Sequence, residues 1–178
     1  MSADSSAKAD DPFRTRLVAF LPRLRRFCHG LCGHRDGGDD LLQATVERAL
    51  ARRELWQDGT SLENWMMRMA SNLNIDRIRA QRVRGIPVDL EEAFDLPGED
   101  ELARLEFRSE LEAVRSALEA MPAELRAVMS AVVLDGQSYR EAADILTIPI
   151  GTVMSRLSRA RHFVEAFVRR GPERMAAA

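Results

Sequence analysis

The chain has 178 residues, of which 46% are hydrophobic, 30% charged and 6% aromatic, and its formal net charge is -2. This profile fits a helix-rich globular protein built as one ordinary domain or two small ones, and it excludes fibrous and disordered classes. No run of about eighteen apolar residues exists to cross a membrane, and the polar start MSADSSAKADD lacks the basic and apolar regions of a secretory signal, so a cytoplasmic location is expected.

Charge is segregated along the chain. Residues 1–35 carry a net of +4, residues 36–60 carry -3 and residues 61–85 carry +3. Residues 86–112 carry -8, residues 113–137 carry -1 and residues 138–178 return to +3. Partners are therefore better read from the distribution than from the sum. Lys8 is the single lysine, so the cations are guanidinium forks suited to gripping phosphate oxygens in pairs.

In chain order, residues 1–11 read as a disordered tail. Phe13, Leu17, Phe20, Leu21, Leu24, Phe27, Cys28 and Leu31 recur at three- and four-residue steps, the mark of an amphipathic helix. Pro22 predicts a short helix, a kink or restart, and then a second helix, and Gly30, Gly33, Gly37 and Gly38 an exit turn. The stretch FCHGLCGH offers Cys28, Cys32, His29 and His34 as metal ligands, but it lacks the paired knuckle spacing and the second ligand pair of a structural zinc site. Buried small side chains are the expected role of the two cysteines, with no metal and no cofactor.

The segment DDLLQATVERALARREL puts Leu41, Leu42, Thr45, Val46, Ala49 and Leu50 on one helix side, and Asp40, Gln43, Ala44, Glu47 and Glu54 on the other. Thr60 and Glu63 have capping-box spacing. The following helix aligns Leu62, Trp65, Met66, Met69, Ala70 and Leu73 as a core stripe. Asn64, Arg68, Ser71, Arg79 and Arg82 are expected on the opposite face, where such side chains contact phosphates and base edges.

Residues 86–108, rich in acid and holding Pro87, Pro97 and Gly98, read as a flexible linker. It separates a unit at residues 12–85 from one at residues 109–170, with residues 171–178 as a tail. In the second unit, SELEAVRSALEAMP and PAELRAVMSAVVL give two helices, and Asp135-Gly136 gives a turn. Ser138 and Glu141 box the start of YREAADIL, and Pro149 opens the last helix. Two short helices with Ala143 at their close approach make a helix-turn-helix pattern. Val153, Leu157, Ala160, Val164 and Phe167 align as its buried stripe. Ser155, Ser158, Arg159 and His162 point outward, flanked by Thr152 and Arg156, a composition suited to the major groove. The same pattern also fits a helical hairpin whose basic face is only solvated.

DDLLQATVERAL, NWMMRMASNLNIDRIR, MPAELRAVMSAVVLDGQSYREAADIL and GTVMSRLSRAR, in that order, resemble the two regions of extracytoplasmic-function RNA polymerase sigma factors of the sigma-70 family, over residues 12 to 168. The resemblance implies an all-α fold of two small domains, a sigma-2 helical bundle and a sigma-4 helix-turn-helix, joined by the acidic linker. It implies a non-enzymatic factor that binds core RNA polymerase and promoter DNA, and that an anti-sigma factor holds inactive until a stress signal. Neither a small-molecule substrate nor membrane insertion is expected. Carried over, Thr152, Ser155, Ser158 and Arg159 read the -35 element, with Arg156 and Arg161 as phosphate clamps and His162 beside them. Trp56, Asn64, Arg68, Ser71, Asn72, Arg79 and Arg82 lie along the -10 strand. Asp40, Leu41, Gln43, Ala44 and Glu47 form the polymerase-docking helix. The acidic linker is expected to enter the polymerase channel and be displaced by RNA.

Three positions depart from that pattern. Ala44 replaces an acidic residue, Met154 replaces a basic one, and Thr147 stands where glycine is common, so a left-handed turn there would cost about 1 kcal/mol or more. Two other readings compete. A stand-alone helix-turn-helix regulator leaves the first unit unexplained. A metal hydrolase lacks any carboxylate pair, nucleophile-base pattern or phosphate-cradling loop.

Overall fold

The computed structural model describes residues 12–57, 59–84 and 112–170, excluding the side chains of Arg82, Arg84 and Arg170. The two tails, the acidic linker and the Arg82 contact expected above lie outside the described residues. Among those described, every regular element is helical. The order is α1 (Pro12–Cys32), α2 (Arg35–Ala51), a 3-10 turn (Arg53–Leu55), α3 (Leu62–Arg84), α4 (residues 112–120), α5 (Ala123–Met129) running into a π-helical turn (Ser130–Leu134), α6 (Tyr139–Leu146) and α7 (Ile150–Arg170).

α1, α2 and α3 pack on one another as a three-helix bundle. Its core is Phe13, Leu17, Phe20, Leu24 and Phe27 from α1, Leu41 and Ala49 from α2, and Leu62, Met66, Met67 and Ala70 from α3. α1 does not break at Pro22 but runs through it. The ring is exposed, so the missing backbone donor and the crowding of the preceding turn are taken up on a side where water can reach the freed carbonyl. His34 caps α2, its Nδ1 accepting from Gly37 N at 3.1 Å. At α3 the cap is Ser61 rather than Thr60. Ser61 Oγ accepts from Asn64 N at 3.1 Å and donates to Glu63 Oε2 at 3.0 Å, while Thr60 Oγ1 donates to Gln57 O within the loop.

In the second unit α5 and α6 pack on α7. Ser138 and Glu141 form the expected capping box at α6. The turn to α7 passes through Thr147 at φ 56° and ψ 46°, the left-handed conformation anticipated from its position, and Thr147 is the single non-glycine residue with positive φ among those described.

The two units are packed together. α1 lies against α5 and the π turn, α3 lies against α6, and one hydrophobic cluster runs through both. The fit at α1 is tight: a Cβ at Gly30 would meet Ser130 Oγ at 2.6 Å and Leu134 Cδ1 at 2.9 Å. Polar bonds finish the seam. Arg23 grips Asp135 with two bonds of 2.7 and 2.9 Å, and the Asp135 side chain is only 4% exposed. Gln137 Nε2 donates to Met67 Sδ and to Asp135 Oδ2. Arg126, 8% exposed, donates Nε to Leu31 O at the end of α1 and Nη1 to Leu118, Glu119 and Met121 carbonyls at the end of α4. A buried cation is tolerable there because the free carbonyls at two helix C-termini supply acceptors and partial negative charge.

Candidate nucleic-acid interface

Three surfaces carry the residues singled out in the sequence. The first is the outer face of α7. Helical rotation buries Val153, Leu157, Ala160 and Phe167, which leaves Ser155, Ser158, Arg159, Arg161 and His162 exposed, with Thr152 and Arg156 half-buried. Met154 is 54% exposed beside them. Ser155 Oγ donates to Thr152 O at 3.2 Å, and His162 Nδ1 lies 3.8 Å from Glu165 Oε2. Small hydroxyls and free guanidiniums near a helix N-terminus match what base edges and phosphates offer.

The second is a groove of about 460 Å³ between α2 and α3, lined by Arg48, Arg52, Trp65, Arg68, Met69, Asn72, Ile75, Asp76 and Arg79. It brings Arg68, Asn72 and Arg79 together as expected. It adds Arg48 from the last turn of α2 and Arg52 at its C-cap; α2 was read for its acidic face only, and nothing in its own spacing says that its C-terminal end flanks α3. Ser71 is not on this face. It is 2% exposed, because α3 is covered on a second side by α6 of the other unit. Trp56 is engaged elsewhere, its ring 5.6 Å from that of Phe13 with the Arg16 guanidinium 5.4 Å above it. Asn64 is half-buried at the cap of α3 and does not line the groove. A neighbouring crevice of about 410 Å³ is shared by both units and includes Asn72, Arg79, Thr147 and Arg156.

The third is a groove of about 680 Å³ between α1 and α2, lined by Leu21, Pro22, Arg25, Asp39, Leu42, Gln43, Val46 and Glu47. Asp40, Gln43, Ala44 and Glu47 are exposed on α2 as anticipated, and Gln43 Nε2 donates to Glu47 Oε1 at 2.9 Å. Leu41 is not part of this face: at 3% exposure it belongs to the bundle core, being one helical step round from Asp40. Asp39 accepts two bonds from Arg25 at 2.8 and 2.9 Å and lies 2.7 Å from His29 Nε2. These partners, Arg25 foremost, hold its carboxyl well below the usual carboxylate range.

Cys28 and Cys32 are buried. Burial pushes both thiols up, Cys32 to about 11, so neither is a reactive thiolate near neutral pH. Among the described residues no cluster of three His, Cys, Asp or Glu side chains is placed to hold a metal, and no helix is long and apolar enough to cross a membrane.

Residues 17–71 match the family model "Sigma2 domain of PhyR", and residues 111–163 match "Sigma-70, region 4". The chain is 35% identical over 159 residues to the ECF RNA polymerase sigma factor EcfG of Rhodopseudomonas palustris, covering 89% of this chain and 86% of that one. It is 32% identical to SigE of Mycolicibacterium smegmatis over 78% of this chain and 54% of that protein. Among solved structures it resembles the sigma factor RpoE of Bartonella quintana, crystallised with the anti-sigma factor NepR, at TM-score 0.73 and 26% identity, over 89% of this chain and 97% of that one. CnrH, solved with the cytosolic domain of CnrY, shares the fold at TM-score 0.61 over 88% of this chain and 87% of that one. With both halves matched in order and a curated relative aligned along most of its length, the chain belongs to the extracytoplasmic-function RNA polymerase sigma factors of the sigma-70 family.

Proposed function

We infer that this protein is an alternative sigma factor that binds core RNA polymerase and directs it to promoters. In this reading the outer face of α7 meets the -35 element and the α2–α3 groove meets the -10 strand. The α1–α2 groove and the exposed side of α2 dock on polymerase. The observation that carries the assignment is the pairing of two arginine-lined surfaces, one on each unit, in a chain matched to both sigma regions. A stand-alone helix-turn-helix regulator would have no use for the first unit. The factor acts by recruitment, with no chemistry of its own, in the cytoplasm where the polymerase works.

The packed arrangement fits an inactive state. Elements centred 25 base pairs apart lie about 85 Å apart along B-DNA at 3.4 Å per pair, yet Arg79 and Arg156 border one crevice. The units must part to engage a promoter, and the 27 residues 85–111 can span about 90 Å when extended. That the RpoE relative was crystallised with an anti-sigma factor supports control of this chain by a protein of that kind, released on a stress signal. The domain limits 12–85 and 109–170 follow from the same division. Reconstitution with core polymerase tests the function: transcripts that start at defined sites only when the protein is added support it, and promoter-specific initiation that is indifferent to the protein overturns it.

A further inference from the structure

The α2–α3 groove holds one carboxylate among its cations. Arg68, Asn72, Asp76 and Arg79 recur at four-, four- and three-residue steps, so they form one row along α3 facing Arg48 and Arg52. From Trp65 to Arg79 the row is about 21 Å long at 1.5 Å per residue. A groove meant only for phosphates would be weakened by a negative charge in mid-row. Asp76 is not placed there by an ion pair of any strength: its nearest cation, Arg79, is 3.9 Å away, and the two side chains are 67% and 76% exposed. Asp76 thus lines the groove with its acceptor capacity available, together with Ile75 and Met69, whose apolar surface suits the face of an unstacked base.

We propose that Asp76 selects an unpaired guanine in the -10 strand. The inference rests on the sigma-factor reading above. An ionised carboxylate offers two acceptors and no donor. On the edge that strand separation exposes, guanine alone presents two adjacent donors, N1–H and N2–H, and so makes two parallel bonds to one carboxylate. Adenine and cytosine each offer one amine next to an acceptor nitrogen that the carboxylate repels, and thymine sets its single N–H between two carbonyls. The surrounding arginines hold the backbone on either side, so Asp76 gives up little phosphate affinity in return for discrimination.

The test uses the full chain with core polymerase on a pool of duplex templates randomised over the -35 and -10 elements, with the transcripts sequenced. Wild type should show one -10 position at which guanine is favoured by about 5- to 150-fold, the range of a good bidentate contact. Asp76→Asn, whose amide offers one acceptor and one donor, should move that position toward adenine or cytosine. Asp76→Ala should flatten it and leave the remaining positions unchanged. A wild-type profile without a favoured guanine, variant profiles identical to wild type, or a uniform fall across all templates would each overturn the assignment. Wild-type protein that yields no template-specific transcripts at all would overturn the sigma reading beneath it, a result seen before any variant is made.

Discussion

Arginines at the seam between the units and arginines on α7 sit in opposite environments, although their sequence surroundings look alike. Arg126 is buried and its donors are taken up by four backbone carbonyls at the C-terminal ends of two helices. Arg159 and Arg161 are exposed and make no bond to the protein among the described residues. A guanidinium already provided with acceptors holds the fold together, whereas one left in water is available to a polyanion. The lesson is that acceptors, rather than charge, separate structural from functional arginines, and four substitutions examine this from the largest effect to the smallest.

Arg126→Ala removes the donor from four carbonyls that stay buried. It should lower unfolding free energy by about 3 kcal/mol, read as a shift in urea midpoint. Gly30→Ala forces a methyl into Ser130 and Leu134. A loss of about 1 to 3 kcal/mol is expected from overpacking, and the same substitution should enlarge the radius of gyration in solution scattering as the seam loosens. Thr147→Gly relieves a left-handed threonine, a strain of about 1 to 2 kcal/mol, less the extra freedom glycine has when unfolded. A net gain of about 0.5 kcal/mol should appear in the same urea titration. Arg159→Ala should move stability by no more than about 0.5 kcal/mol. Its effect belongs to DNA: holoenzyme binding to the upstream element should weaken, with the salt slope reduced by about 1 if the contact is to phosphate. If Arg159→Ala instead unfolded the chain as Arg126→Ala does, the distinction between the two regions would fail.

Much of this was legible beforehand, for identifiable reasons. Apolar spacing located the helices and the buried stripe of α7, because a helix packed on one side keeps a 3.6-residue period. Thr147 was legible only through the family resemblance, which puts a glycine in the turn between α6 and α7, and the left-handed conformation found there is one glycine adopts freely. The failures share a cause, which is that periodicity says which residues lie on one face but not how many faces are covered. α3 is covered twice, so Ser71 is buried where an outward polar face was expected. Pro22 was read as a kink or restart between two helices because the missing donor is visible in sequence and the solvent that tolerates it is not. Arg126 carried no signal, since its acceptors are backbone carbonyls about 5 to 95 residues away.

The π turn after α5 makes the seam depend on counting. Arg126 and Asp135 are nine residues apart, two and a half turns of a regular α-helix, which would aim them at opposite sides. Both nevertheless reach α1, at Leu31 O and at Arg23, because Asp135 N bonds to Ser130 O five residues back and the wider turn carries the chain round. The Arg23 contact is thus encoded in a length as well as in two side chains. Relatives that kept both residues but lost one position between 130 and 134 would keep the letters of this contact and lose its meaning.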